Sequence, residues 1–252
     1  MPDDKNDQPH HVLILGCGRS GTSIFGEFFQ HLSSYTYFSE PPYANLKKMD
    51  FSKPIAIKVP EVSADYPPTE GLSFPLEDLY QTIPQPLTIF WQVRHPLDTI
   101  CSLKVGIAKN WGHHPQPVDW RNWVDKPLIE RCAHHWNYLN TVGYEKLAEV
   151  AHLSKFEEAI LDTQNFARKV ANLVKVDAIE EQVNIQNWCN RVQNTNNAKF
   201  VEAETSRAYS TKDHKVKVGR WLENMTSEEL EIVVPMIQDT AKKFGYDLTN
   251  LN

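Results

Sequence analysis

Apolar positions first cluster in the run Val12-Leu-Ile-Leu15, which ends in Gly16-Cys-Gly-Arg-Ser-Gly21. A short continuous apolar run closed by glycines predicts a buried strand entering a tight turn. The period then changes: Ile24, Phe25, Phe28, Phe29 and Leu32 recur at helical spacing. A helix from Thr22 to Leu32, with one face laid on a sheet, follows from that spacing. Pro54 to Val59 and Leu87 to Val93 predict two more buried strands, and Leu97 to Ala108 and Leu128 to Leu147 predict amphipathic helices. Strands alternating with helices imply an α/β fold with a central parallel sheet flanked by helices.

Further along, Val150 to Leu153 predicts a short strand and Glu157 to Val174 a helix. Asp177 to Lys215 is rich in Asn, Gln and charge with weak periodicity, so irregular structure is expected there, with Glu180 and Glu181 on a solvated face. Thr226 followed by Glu229 forms a capping-box pattern that starts a last helix, which runs to Phe244 with Gly245 beyond its end.

With 252 residues, 41% of them hydrophobic and 23% charged, the chain can bury the core of one domain. That domain is expected to span 11–252, with residues 1–10 as a disordered N-terminal tail. A formal net charge of −6 supplies no global field for nucleic acid, so any anion site must come from local cations. Cys17, Cys101, Cys132 and Cys189 include no Cys-x-x-Cys pair, so reduced thiols are expected rather than a zinc ribbon or a disulfide framework. The polar, acidic start and the lack of a long apolar stretch add the expectation of a cytoplasmic protein with no membrane span.

Candidate chemistry begins at the glycine-rich turn. Glycines let backbone approach a ligand, and the following helix N-terminus offers unpaired amides and the positive end of a dipole, so such a turn suits phosphate-like anions. Three ligands compete. Gly16-x-Gly18-x-x-Gly21 satisfies the dinucleotide fingerprint, with Glu40 where a ribose-binding acid is expected. A nucleoside triphosphate loop fits less well, because Thr22 stands where lysine is needed. In the third reading Arg19 sets a cation, and Ser20, Thr22 and Ser23 set hydroxyls, among amides facing a terminal sulfate or phosphate. A second segment, Arg94-His-Pro-Leu-Asp98, also lies between strand and helix, so Arg94 falls at the carboxyl edge of the sheet and Ser102 within the next helix. Both can reach one phosphate.

Gly18-Arg-Ser-Gly-Thr-Ser23, Arg94-His-Pro-Leu-Asp98 with Ser102, and Val218-Gly-Arg-Trp221 before the terminal helix together resemble the sulfotransferases that use 3′-phosphoadenosine 5′-phosphosulfate (PAPS). The resemblance implies a single domain with a P-loop-like sulfotransferase fold, PAPS as donor, adenosine 3′,5′-bisphosphate (PAP) as product, and no metal. It implies that Arg19 contacts the sulfuryl group and the phosphate bridge, and that Gly18, Ser20, Gly21, Thr22 and Ser23 shape the 5′-phosphate site. Arg94 and Ser102 would hold the 3′-phosphate, with Lys217, Gly219 and Arg220 covering it. The acceptor, a small molecule, a sugar or a lipid, is not specified. Where small-phenol members carry a histidine, this chain has Ile57-Lys-Val-Pro-Glu61, and it is more similar to the carbohydrate-type branch, which implies Glu40 as base and Lys58 near the sulfate; Glu61 is the reserve carboxylate, and a loop histidine, His113 or His114, is the remaining candidate base. A P-loop kinase and a non-catalytic nucleotide-binding protein remain the alternatives.

The histidine pairs His10-His11, His113-His114 and His134-His135 give no consistent metal-ligand set, because adjacent residues diverge on a helix or strand. Trp111, Trp120 and Trp123, with Pro115 and Pro117, form an aromatic loop suited either to packing on the core or to stacking on an acceptor ring.

Overall fold

Strand β1 (His11–Gly16) is buried along nearly its whole length because it is apolar on both faces. Val12 and Ile14 join one core, and Leu13 and Leu15 join the other. The structure, a computed structural model, describes residues 8–58, 81–108, 111, 113, 116–194, 218–249 and 251. Residues 1–7 of the expected tail lie outside the described residues, while His10 is fixed by a backbone bond to Val174 and a ring contact with Thr88.

Strands β2 (Thr36–Ser39), β3 (Ile55–Lys58), β4 (Leu87–Val93) and β5 (Ala151–Lys155) complete a parallel sheet of order β2-β3-β1-β4-β5. The helices are α1 (Thr22–His31), α2 (Tyr43–Leu46), α3 (Pro96–Ala108), α4 (Leu128–Tyr138), α5 (Phe156–Leu161), α6 (Thr163–Leu173), α7 (Gln182–Asn194), α8 (Trp221–Asn224) and α9 (Ser227–Lys243). Phe25, Phe28 and Phe29 of α1 pack one face of the sheet together with Phe166 of α6 and Trp188 of α7. Leu97 and Ile100 of α3, Trp136 of α4 and Ile237 of α9 pack the other. This is the α/β layering that the alternating elements predict. Helix α9 starts on the expected capping box, with Thr226 and Glu229 each accepting the other's backbone N–H.

Four departures from the sequence reading have local causes. The helix expected to reach Leu147 ends at Tyr138 and widens over Leu139–Gly143, where the Thr141 hydroxyl donates to the Asn137 and Tyr138 carbonyls. The helix expected from Glu157 to Val174 is two, because Asp162 accepts the Asn165 N–H and caps a new start. The stretch expected to be irregular contains α7, whose Ile185, Trp188, Cys189 and Val192 are buried at helical spacing beneath an Asn- and Gln-rich surface. Glu181 is not solvated: it is 3% exposed and accepts bonds from the Ser33 N–H and hydroxyl, the Ser34 N–H and the Asn184 amide.

All four cysteines are free and buried. No described helix is long and apolar enough to cross a membrane.

Candidate active site

In a parallel sheet the crevice beyond the carboxyl ends of the strands, where the strand order changes direction, is the usual ligand site. Here β1 is flanked by β3 and β4, and the chain leaving β1 forms the glycine-rich turn. Gly16 has φ +148°, and a Cβ there would lie 2.3 Å from the Gln92 carbonyl oxygen of β4. Gly21, at φ +92°, caps α1, and a Cβ there would lie 2.3 Å from the Phe156 ring. Between them Arg19 adopts φ +70°, a left-handed conformation that costs a non-glycine residue about 1–3 kcal/mol and persists where the surroundings enforce it. Ser20 is fully buried. Its hydroxyl has no hydrogen-bond partner among the described residues, as expected of a group turned toward a ligand oxygen.

Three arginines converge on this turn. The half-buried Arg19 guanidinium is lowered to about 10 by burial and by the charges of Arg94 and Arg220. Arg220 is lowered by burial and then by Arg94, against the opposing pull of Asp98. Bringing like charges together disfavours each of them until an anion joins them. Arg94 is placed by β4, which ends at Val93; its guanidinium lies 4.5 Å over the Phe156 ring and 3.4 Å from Asp98. Arg19 Nε donates to Ser102 Oγ of α3 at 2.8 Å. The first turn and α3 are therefore joined directly through Arg19 and Ser102.

On the other side of β1, Lys58 ends β3 with its ammonium 2.6 Å from the Glu40 carboxylate and 3.1 Å from the Ser23 hydroxyl. Glu40 follows β2, and its N–H donates to the Lys58 carbonyl at 2.8 Å. It is the second non-glycine residue of the site with positive φ, +52°. The turn at Glu40, the end of β3 and the first turn of α1 thus form one polar cluster. Gly18 stands at the mouth of the turn, against the His113 ring. Thr22 is buried at the start of α1.

Asp98, at the end of the second motif, ties that motif to the C-terminal segment. Fully buried, it accepts the Gly219 N–H and the Trp221 N–H, both at 2.9 Å, and so pins the C-terminal segment carrying Arg220 over the second loop. His95 stacks on Trp221 with centroids 6.0 Å apart, and its N–H donates to Glu157 at 2.7 Å. Gln92, buried at the end of β4, donates to the Ser20 carbonyl at 3.4 Å. Nothing local in the sequence marks Gln92 or Glu157, because their partners are distant in the chain. Lys217, Glu61 and His114 lie outside the described residues. The aromatic loop packs: Trp111 is 1% exposed, and Trp120 and Trp123 border the same core. No metal-ligand cluster occurs among the described residues.

A five-stranded parallel sheet with a glycine-rich turn after β1 and cations at its carboxyl edge makes this an α/β protein whose crevice is chemically suited to an anion. Comparison with solved structures makes the fold specific. Mouse sulfotransferase SULT7A1 complexed with PAP matches with a TM-score of 0.55 at 13% identity, covering 96% of this chain and 87% of that one. Sulfotransferase STF9 from Mycobacterium avium matches with a TM-score of 0.54 at 9% identity, over 97% and 79% of the two chains. Retinol dehydratase in a complex with retinol and PAP matches with a TM-score of 0.52 at 14% identity, over 98% and 85%. The chain has the sulfotransferase fold. No family model and no curated protein sequence matches it.

Proposed function

We propose that this protein transfers a sulfuryl group from PAPS to the hydroxyl or amine of a small-molecule, sugar or lipid acceptor. The observation that carries the reading is the gathering of three arginines at the strand ends, Arg19 bonded to Ser102 and Arg94 joined through Asp98 to the segment that carries Arg220, which suits a nucleotide bearing phosphates at both its 3′ and 5′ positions. The buried Ser20 hydroxyl and the tight cradle at Gly21 fit the 5′ group.

PAPS would supply the activated sulfuryl group, whose sulfur–oxygen bond to phosphate is the one broken as a bond to the acceptor oxygen or nitrogen forms. Gly18 and the amides of Ser20, Gly21, Thr22 and Ser23 bind the 5′ end. Arg19 offsets the charge that develops on the leaving phosphate oxygen. Arg94 and Ser102 hold the 3′-phosphate, with Gly219, Arg220 and Lys217 closing over it. Glu40 takes the acceptor proton, and Lys58 orients Glu40 through their 2.6 Å contact. The protonated carboxyl is then left beside the Lys58 ammonium, and charge is conserved across the transfer. The cations needed at the leaving group belong to the chain itself, so the proposed chemistry is metal-independent, in a cytoplasmic setting.

The two competing nucleotides fit less well. A dinucleotide fold of the common order pairs β1 with β2, whereas here β3 lies between them, and the Glu40 carboxylate faces Lys58 rather than a ribose position. A kinase needs a lysine at Thr22, and Lys58, which reaches the same turn, is held by Glu40 and Ser23. Calorimetry with PAP, ATP and NAD separates the readings. PAP binding without added metal, tighter than either of the others, is expected. Magnesium-dependent ATP binding in its place would establish the kinase.

A further inference from the structure

Gly106 sits near the end of α3, where glycine weakens a helix relative to alanine. Its backbone is ordinary, with no positive φ to demand glycine. The steric reason is His113: a Cβ on Gly106 would lie 2.2 Å from the His113 Nε2. The same ring touches the anion-binding turn, since a Cβ on Gly18 would lie 3.2 Å from its Nδ1. Gly18 also lacks a positive φ. Two glycines 88 positions apart in the sequence are thus shaped around one imidazole.

The chain is folded back to place that ring. Trp111 adopts φ +54°, and its N–H bonds to the Ile107 carbonyl of α3 at 3.2 Å. Its buried indole donates to His135 Nδ1 of α4 at 3.0 Å. Indole N–H only donates, so His135 must accept there. The His135 ring, fully buried, lies 6.2 Å from that of His113. Gln116 adds a bond to the Trp111 carbonyl at 3.1 Å. A left-handed tryptophan held at this many points marks a turn whose shape the surroundings enforce.

We propose that His113 is a positioning residue of the transfer site: wedged between Gly106 and Gly18, it backs the Gly18–Arg19 peptide and so sets the direction of the Arg19 guanidinium. Its effect passes through Arg19, whose left-handed backbone has the His113 contact immediately before it. The inference rests on the PAPS reading, and the test separates the two.

PAPS hydrolysis by the whole protein, with water as acceptor, is followed in single turnover, and PAP binding by calorimetry. His113→Ala is expected to lower the hydrolysis rate roughly 10–100-fold, as small misplacements of a catalytic group do, while PAP affinity stays within about twofold because the 3′-phosphate contacts are untouched. His113→Asn, which restores a polar group of similar reach, is expected to recover part of the rate. Gly106→Ala is expected to displace the ring and lower the rate similarly, and the His113→Ala/Gly106→Ala double variant to lose no more than either single one, because both remove the same wedge. An unchanged rate in His113→Ala, or losses that multiply in the double variant, overturns the role of His113 and leaves the transferase reading standing. Failure of the unaltered chain to bind PAP or hydrolyse PAPS overturns the transferase reading and this role with it.

Discussion

Arg19 and Ser102, 83 positions apart in the chain, meet through a 2.8 Å bond from the guanidinium Nε to the serine Oγ. The resemblance to sulfotransferases pairs Ser102 with the 3′-phosphate, and in this structure it orients the arginine proposed to face the leaving oxygen. Ser102→Ala is therefore expected to lower PAPS turnover about tenfold, the equivalent of losing one bond to a charged group, with PAP affinity falling less. Weakened PAP binding with unchanged turnover would mean that Ser102 serves the 3′-phosphate alone and does not orient Arg19 for the transfer.

Arg94 gives a sharper test of the nucleotide's orientation. Its guanidinium is fixed by Phe156 and Asp98, and charge-assisted bonds of this kind contribute about 1.5–3 kcal/mol each. Arg94→Ala should weaken PAP by roughly 10–150-fold and adenosine 5′-monophosphate hardly at all, because only PAP carries the 3′-phosphate. Competition binding with the two nucleotides measures the ratio, and equal losses would place Arg94 elsewhere.

How far this site was legible depends on where each residue finds its partners. Gly16, Arg19 and Gly21 announce themselves because glycine spacing and the strand-to-helix switch are properties of one short segment. Glu40 and Lys58 were legible only as types, and their 2.6 Å contact comes from the parallel register that sets Ser39 beside Lys58. Asp98, Gln92, Glu157 and His113 act on segments far away in the chain, so no local pattern could assign them. Helix α7 escaped for a different reason: its apolar positions have helical spacing, but the Asn and Gln between them diluted the signal.

Glu181 offers a prediction about stability. Burial pushes its carboxyl up, but bonds from the Asn184 side chain, the Ser33 N–H and hydroxyl and the Ser34 N–H outweigh burial and hold it at about 2. The folded state thus favours the ionised form. The resulting stability is fully present above the ordinary glutamate value of about 4.5 and is lost as the pH falls from there toward about 2. Glu181→Gln should lower the urea midpoint at pH 7 and flatten this acid dependence, so that the two proteins converge near the acid limit. Parallel pH curves for the two would remove Glu181 from the acid response.

Glu40 carries the most specific chemical assignment. Its carboxylate lies 2.6 Å from the Lys58 ammonium, which also reaches Ser23 in the first turn of α1 at 3.1 Å. A carboxylate so placed is oriented toward the anion turn, yet its side chain is 60% exposed, leaving it open to an incoming acceptor. Replacement by glutamine keeps the shape and an acceptor oxygen for Lys58 but removes the capacity to take a proton. Turnover is therefore expected to fall roughly 10²–10⁴-fold, with PAP affinity nearly unchanged. The acceptor used is whichever hydroxyl or amine a screen for PAPS consumption returns. Lys58→Met should lower turnover as well, by a smaller factor, because Glu40 then keeps its carboxylate but loses the ammonium that orients it. If Glu40→Gln keeps full turnover while Glu61→Gln loses it, the base belongs to Glu61. If both variants stay active, neither carboxylate removes the proton, and the Lys58–Glu40 pair serves only to hold α1 against β3.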